Sequence, residues 1–342
     1  MVDRAAARSP TSAGAAGSSG ALDVLIVSVG ATTGWRASTR ELQAAFAAAG
    51  ARVAIIDAGP VAQVRTFMGT DFVQARAARH ACRRALSEHD AAAIVYCSIT
   101  AALLWPRPGA IWLDSIAAEN RPGRHGLWQR VVERWRLAQA PLVMTMTPYA
   151  LPRKAARAVV VPTPVEASGP APAVRDVDVL AYAADPVKRR LDLILDAWAS
   201  ARRGTETLVV AGLDRSPAPA GVRFAGRLAP AEYRALVRRA RVFVAAPRRE
   251  DFGIAALEAL ADGCRLVTTP SPGPYPALRL ARELDPRLVA GELAPAIRTA
   301  LDDPAPGYGE RAAELIAPFS RAAVTATIAG HVLPRLLPAW TP

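Results

Sequence analysis

Lysine is nearly absent from this chain. Of 42 basic residues only Lys154 and Lys188 are lysine, and the rest are arginine. Cysteine is scarce as well. Cys82, Cys97 and Cys264 are odd in number and far apart, which excludes a disulfide framework and any CxxC metal spacing, and fits a reducing cytoplasm. The 4 histidines, His80, His89, His125 and His331, show no ligand spacing. Long apolar runs are lacking too. The uncharged run Ala91 to Pro106 is broken by Tyr96, Ser98 and Thr100 and ends in proline, so no membrane-spanning helix is expected. The first twenty or so residues are rich in Ala, Ser, Gly, Thr and Pro and have no apolar signal-peptide core. They read as a disordered tail over 1–21, and the chain as cytoplasmic.

Acidic residues number 30, which leaves a net charge of +12. Such a balance attracts nucleic acid, anionic lipid or phosphorylated ligands. Here the charge is spread along the chain, and an arginine- and alanine-rich composition accounts for part of it. No nucleic-acid-binding module is present, so no specific nucleic-acid partner is expected. Hydrophobic residues at 51% and charged residues at 21% exclude a mainly disordered protein.

What is there is an alternation of strands and helices. The 342 residues suggest two domains. Val24 to Ser28 is a short apolar run read as a buried strand. A helix follows, with Ser38 as its cap and Glu41 completing a capping box. Further strands are expected at 52–57, 92–97, 110–113, 142–146 and 158–161. Helices are expected at 71–87 and 126–138. A proline- and glycine-rich stretch then separates a second alternation. Its strands are expected at 177–182, 208–211, 222–224, 242–245 and 266–268, and its helices at 191–201, 230–239 and 254–261. The division is an N-terminal domain over 22–165, a linker over 166–176 and a C-terminal domain over 177–317. A closing helix within 318–342 is expected to return to the N-terminal domain. Both domains read as α/β, doubly wound and Rossmann-like, with ligands outside the carboxyl ends of the strands.

The most informative segment runs from Val222 to Thr269. Glu250 stands on a loop, followed by Asp251, Phe252 and Gly253, and Glu258 lies inside the next helix. Gly253 marks the helix start, where unpaired amides and the positive dipole end suit a phosphate. From inside that helix a carboxylate can accept bonds from ribose hydroxyls. Glu250 on the loop can reach a sugar.

This string resembles the paired-glutamate signature of GT-B glycosyltransferases, in particular the retaining enzymes of family 4. Those read Glu-Gly-Phe-Gly, a short apolar stretch, then Glu-Ala-x-Ala-x-Gly. This chain reads Glu250, Asp251, Phe252, Gly253, then Glu258, Ala259, Leu260, Ala261, Asp262, Gly263. The resemblance is specific over Val177 to Leu301 and architectural before that. It implies two facing Rossmann-like domains and transfer of a sugar, with retention, from a nucleotide-sugar donor to an acceptor hydroxyl. It implies no metal and no cofactor beyond the donor. The donor site would comprise Glu258, Phe252, Gly253, Ile254 and Ala255, with Gly226 and Arg227 beside the base and Gly34 near the diphosphate. Lys188, read at the opening of the first helix of the second domain, matches the family's diphosphate lysine. The catalytic group would comprise Glu250, Lys188 and Asp114.

The chain departs from the family twice. The arginine five residues before the lysine is replaced by Ala183. Arg189, Arg248 and Arg249 are candidates to supply that charge. The histidine that many relatives place after a central strand is replaced by Asp114. In the loop Gly30 to Arg36, Thr33, Trp35 and Arg36 are candidates for substrate contact, with a tight turn around a packed Trp35 as the alternative. Asp176 and Asp178 form a D-x-D triplet, discounted as a metal motif because it belongs to another fold. The departures leave a non-catalytic nucleotide-binding subunit and a GT-B epimerase or phosphorylase as alternatives. The acceptor is open, lipid-linked or a small molecule. On a helix, Leu127, Val131 and Trp135 share one face among arginines, which suits either an anionic membrane surface or, preferably, the protein core.

Overall fold

The computed structural model describes residues 21–340 apart from 31, 60, 62–63, 65, 122 and 151–156. The expected tail over 1–21 therefore lies, but for residue 21, outside the described residues, as does Lys154. The chain forms two parallel sheets flanked by helices. The first contains β1 (Leu22–Ser28), β2 (Val53–Asp57), β3 (Ala91–Cys97), β4 (Ala110–Leu113), β5 (Val143–Thr145) and β6 (Ala158–Val160) in the order β2-β1-β3-β4-β5-β6. The second contains β7 (Val177–Tyr182), β8 (Leu208–Ala211), β9 (Val222–Phe224), β10 (Ala240–Ala245) and β11 (Arg265–Thr268) in the order β11-β10-β7-β8-β9. Every pairing is parallel. The strands are continuous apolar runs because both sheet faces are covered by helices. In each sheet the strand order reverses beside the first strand, and that crevice is where doubly wound sheets hold ligands.

Two tryptophans anchor the cores. Trp112 of β4 is fully buried and its Nε1 donates to the Val161 carbonyl at 2.8 Å. Trp198, on the helix Leu191–Ala201, is also buried and donates to the Gly221 carbonyl at 2.9 Å. Trp35, in the first turn of the helix Thr33–Ala48 rather than in a tight turn, meets Trp112 edge-on at 5.7 Å. The closing helix begins at Arg321, which pairs with Glu41 on the first helix and with Glu166.

Two local expectations change. The first helix spans Thr33–Ala48, not a segment starting after Ser38, because Thr32 is extended and its hydroxyl accepts the Trp35 amide at 3.1 Å. Ser38 is buried inside that helix, and Glu41 faces Arg321. Lys188 does not open a helix. It stands in the turn before Leu191–Ala201 because Arg190 is left-handed, with φ 47, and interrupts the helical path. The closing helix runs from Arg321 to Leu336 as expected, with a π-helical segment, Ile328–Val332, just before Pro334, which cannot donate to the preceding turn. No helix among the described residues is long and apolar enough to cross a membrane.

Trp198→Ala removes a full indole from this core and leaves the Gly221 carbonyl without its donor. A loss of about 3–5 kcal/mol is expected in urea unfolding.

Candidate active site

The helix Ile254–Ala261 starts at Gly253, whose φ is 79. A side chain there would be strained, and its Cβ would lie 2.5 Å from the Tyr275 ring. No side chain caps this helix start. The Ala256 amide donates to the Gly253 carbonyl at 3.1 Å, and the Ile254 and Ala255 amides before it are placed to meet an anionic ligand. Glu250 is buried and forms an ion pair with Arg189. Glu250, Arg189, Gly253 and Ala255 line one small pocket together with Tyr182 and Tyr275. Arg189 is thus occupied by Glu250 and does not stand free as a phosphate clamp.

Lys188 is exposed on the neighbouring turn. Asp185 accepts its amide at 2.9 Å, and its carbonyl accepts the Arg248 amide at 3.0 Å. Arg190 pins the turn from below. Its guanidinium donates to the Ala246 carbonyl at 2.8 Å and to the Thr269 hydroxyl at 2.7 Å. These contacts hold an otherwise unfavourable left-handed residue in place. Arg248 is exposed beside Lys188, with Nε 3.0 Å from the Val187 carbonyl. Two cations therefore share this edge. Ala183 is fully buried at the end of β7, so the family's arginine position is an interior one in this chain.

Glu258 lies one turn along the Ile254 helix, half-buried, 3.2 Å from Arg234. Arg234 also holds the buried Asp262 carboxylate at 2.8 Å. Burial pushes the Glu258 carboxyl up, Arg234 pulls it down, and Asp262 adds to the rise. Next to Arg234 in sequence, Tyr233 has a buried hydroxyl with no partner among the described residues. Its ring meets Tyr182 edge-on at 5.4 Å. Neither Tyr233 nor Arg234 was singled out from sequence. Their partners lie more than twenty residues away, and no local spacing links them.

Four donor-site candidates fall differently. Phe252 is buried against Phe319, with ring centroids 6.2 Å apart, and Ile254 is half-buried against the core. Gly226 has φ 65 and joins the loops after β8 and β9, accepting the Gly212 amide at 2.8 Å. Arg227 beside it is exposed.

In the first domain Gly34 lies in the first turn of the Thr33–Ala48 helix, not in a loop. The glycine that the loop requires is Gly30, with φ 58, where a Cβ would sit 2.5 Å from the Asp57 carboxylate. Arg36 is exposed, and the Thr33 side chain lies outside the described residues. Asp114 follows β4, half-buried, 3.4 Å from the Ser115 hydroxyl. Burial, and then the Asp251 carboxylate, push Asp114 up to about 7. Asp251 belongs to the second domain, on the loop that carries Glu250. Arg249 on that loop pairs with Asp251 at 2.7 Å and crosses to Glu119 at 3.4 Å. A second crossing places Arg279 over the Tyr149 ring at 3.6 Å. The structure thus brings Asp114 into the electrostatic field of the Glu250 loop.

Asp176 and Asp178 are spent on structure. Asp176 pairs with Arg239 at 2.5 Å, and Asp178 with Arg241 at 3.2 Å. No group of three or more metal-ligating side chains occurs among the described residues.

Residues 177–303 match the family model described as glycosyl transferases group 1. This chain has the GT-B fold of glycosyltransferases. Among solved structures it is similar to a sucrose-phosphate synthase from Thermosynechococcus elongatus, at 18% identity and a TM-score of 0.65, covering 93% of this chain and 99% of that one. It is also similar to WaaG, a glycosyltransferase involved in lipopolysaccharide biosynthesis, at 15% identity and a TM-score of 0.64, covering 90% and 100%. The glycosyltransferase of kitacinnamycin gives 15% identity and a TM-score of 0.60, covering 92% and 99%. No curated protein sequence matches the chain. The group 1 match spans all five strands of the second sheet and the paired glutamates.

Two measurements test this site. Gly253→Ala forces a left-handed alanine into the Tyr275 ring, and a stability loss of about 1–3 kcal/mol is expected in urea unfolding. The second concerns pH. Asp114 and Glu133 are both pushed up to about 7, Glu133 by burial. The folded chain keeps these protons above pH 4 while the unfolded chain loses them. The contribution of these two groups to stability therefore falls as pH rises from about 4 to 7. Asp114→Asn removes one of the two titrations, and a gain of about 1–3 kcal/mol at pH 8 with little change at pH 4 is expected.

Proposed function

We propose that this chain transfers a sugar from a nucleotide-sugar donor to an acceptor hydroxyl, with retention of configuration and without a metal ion. The observation that carries this reading is the uncapped, left-handed start of the Ile254 helix, set between Glu250 on one side and Glu258 on the other. The amides after Gly253 would receive the donor diphosphate. Lys188 and Arg248 would offset its charge from the adjoining turn. As the bond to the sugar breaks, negative charge grows on the leaving phosphate, and these fixed donors stabilise it. Glu258 would hold the ribose, with Arg234 fixing its orientation. Glu250, held by Arg189, would accept a hydroxyl of the transferred sugar. The first domain would supply the acceptor, with Asp114 next to the reacting hydroxyl. A proton shared near neutral pH suits a group that must pass one on. Cytoplasmic residence is part of this proposal, since nucleotide sugars are made there.

Binding of UDP, GDP and ADP by calorimetry tests the donor site. One of the three should bind, and Glu258→Ala should weaken it at least tenfold. The fold should tolerate that change, because Arg234 keeps Asp262 at 2.8 Å. A folded protein that binds none of them overturns the donor assignment. Epimerisation of the nucleotide sugar without an acceptor, or a requirement for inorganic phosphate, would instead point to an epimerase or a phosphorylase.

A further inference from the structure

The helix Leu127–Gln139 is turned inside out. Its buried residues are polar, Gln129 and Glu133. Its apolar stripe faces solvent, with Leu127 60%, Val131 62% and Trp135 59% exposed. Core packing therefore does not explain the stripe. The apolar surface continues onto the neighbouring helix Phe67–Glu88, where Phe72 meets Trp128 edge-on at 6.2 Å and Met68 is also exposed.

The charged side chains that this helix turns outward have one sign. Arg124 and Arg134 are exposed, and no ion pair holds either of them among the described residues. Arg136 lies over the Trp135 ring at 5.2 Å. Glu133, the helix's one acidic residue, points inward, where it accepts the Ala117 amide at 2.7 Å. The outward face is thus apolar and cationic. A second copy of this chain is a poor occupant, since a two-fold contact sets these arginines against each other. An anionic lipid surface suits both features, with the apolar side chains below the headgroups and the arginines at the phosphates.

We propose that this face docks on an anionic bilayer and sets the Asp114 loop at the membrane surface. The inner face of the helix makes the connection. Glu133 holds the segment three residues after Asp114, and Gln129 donates to Asp71 at 3.1 Å, which in turn binds Arg121. An acceptor carried on a lipid headgroup would then meet Asp114 without leaving the bilayer. That last step rests on the proposed sugar transfer. The docking itself does not.

The test is sedimentation of the full chain with vesicles, of phosphatidylcholine alone or mixed equally with phosphatidylglycerol. Binding to the mixed vesicles is expected, with at least a tenfold loss on raising the salt. Val131→Glu combined with Trp135→Glu should abolish it. Arg124→Gln combined with Arg134→Gln should weaken it severalfold. Both variants should keep the wild-type melting temperature and nucleotide binding, which separates this test from that of the donor site. Three results overturn the proposal. One is no binding to mixed vesicles. Another is equal binding to neutral vesicles. The third is a dimer in solution that Val131→Glu disperses.

Discussion

The close approach of two loops sets most of what this chain can do. The loop after β10 carries Arg248 to Gly253, and it lies directly against the loop 270–275. Glu250 donates its amide to the Pro272 carbonyl at 3.0 Å. A Cβ at Gly273 would fall 2.1 Å from the Glu250 carbonyl, and one at Gly253 would fall 2.5 Å from Tyr275. Only backbone fits at both points of contact. The contact fixes where Glu250 leaves the sheet and where the Ile254 helix begins. Without it the paired glutamates would have no common frame, whatever their spacing in sequence.

Charge is arranged on that frame in pairs, each with a spare valence. Arg189 pairs with Glu250, and Arg234 is shared between Glu258 and Asp262. A buried carboxylate without a cation is costly, so both pairings are what burial demands. Yet each pair sits at a different place relative to the helix start. Lys188 and Arg248 stay outside these pairs and face the open edge. The division separates cations that hold carboxylates from cations left for a ligand. The same logic reaches the first domain through Arg249, which binds Asp251 on its own loop and Glu119 across it. Movement of one domain relative to the other must therefore change the surroundings of Asp114.

The alternation of apolar runs and turn residues placed nearly every strand, and helices such as Leu191–Ala201 and Ile254–Ala261, at the observed residues. Such runs are legible because a strand buried on both faces leaves no other pattern. Glu250, Gly253 and Ala255 could also be read, since local order along one loop and helix sets their relation. What could not be read depends on residues distant in sequence. The Glu258 partner, Arg234, is on another helix. The start of the first helix depended on which of two hydroxyl residues, Thr32 or Ser38, met a free amide. Gly30 and Gly34 are alike in sequence, and only the Asp57 carboxylate shows which one must be glycine.

The Leu127 helix shows the same limit from the other side. Periodicity identified its apolar face correctly, because spacing alone decides which residues share a face. It could not decide which face meets the protein. That choice was made by Asp71 and by the loop after β4. The segment from Asp114 to Arg121 leaves its sheet with free amides and a guanidinium, and these need acceptors inside the fold. Glu133 accepts the Ala117 amide, Asp71 binds Arg121, and Gln129 steadies Asp71. A helix that supplies those polar groups inward presents the opposite face, with Leu127, Val131 and Trp135, outward. The exposed apolar stripe is thus tied to the support of the Asp114 loop. A change to one face of this helix acts on the surface, and a change to the other acts on the candidate acceptor site.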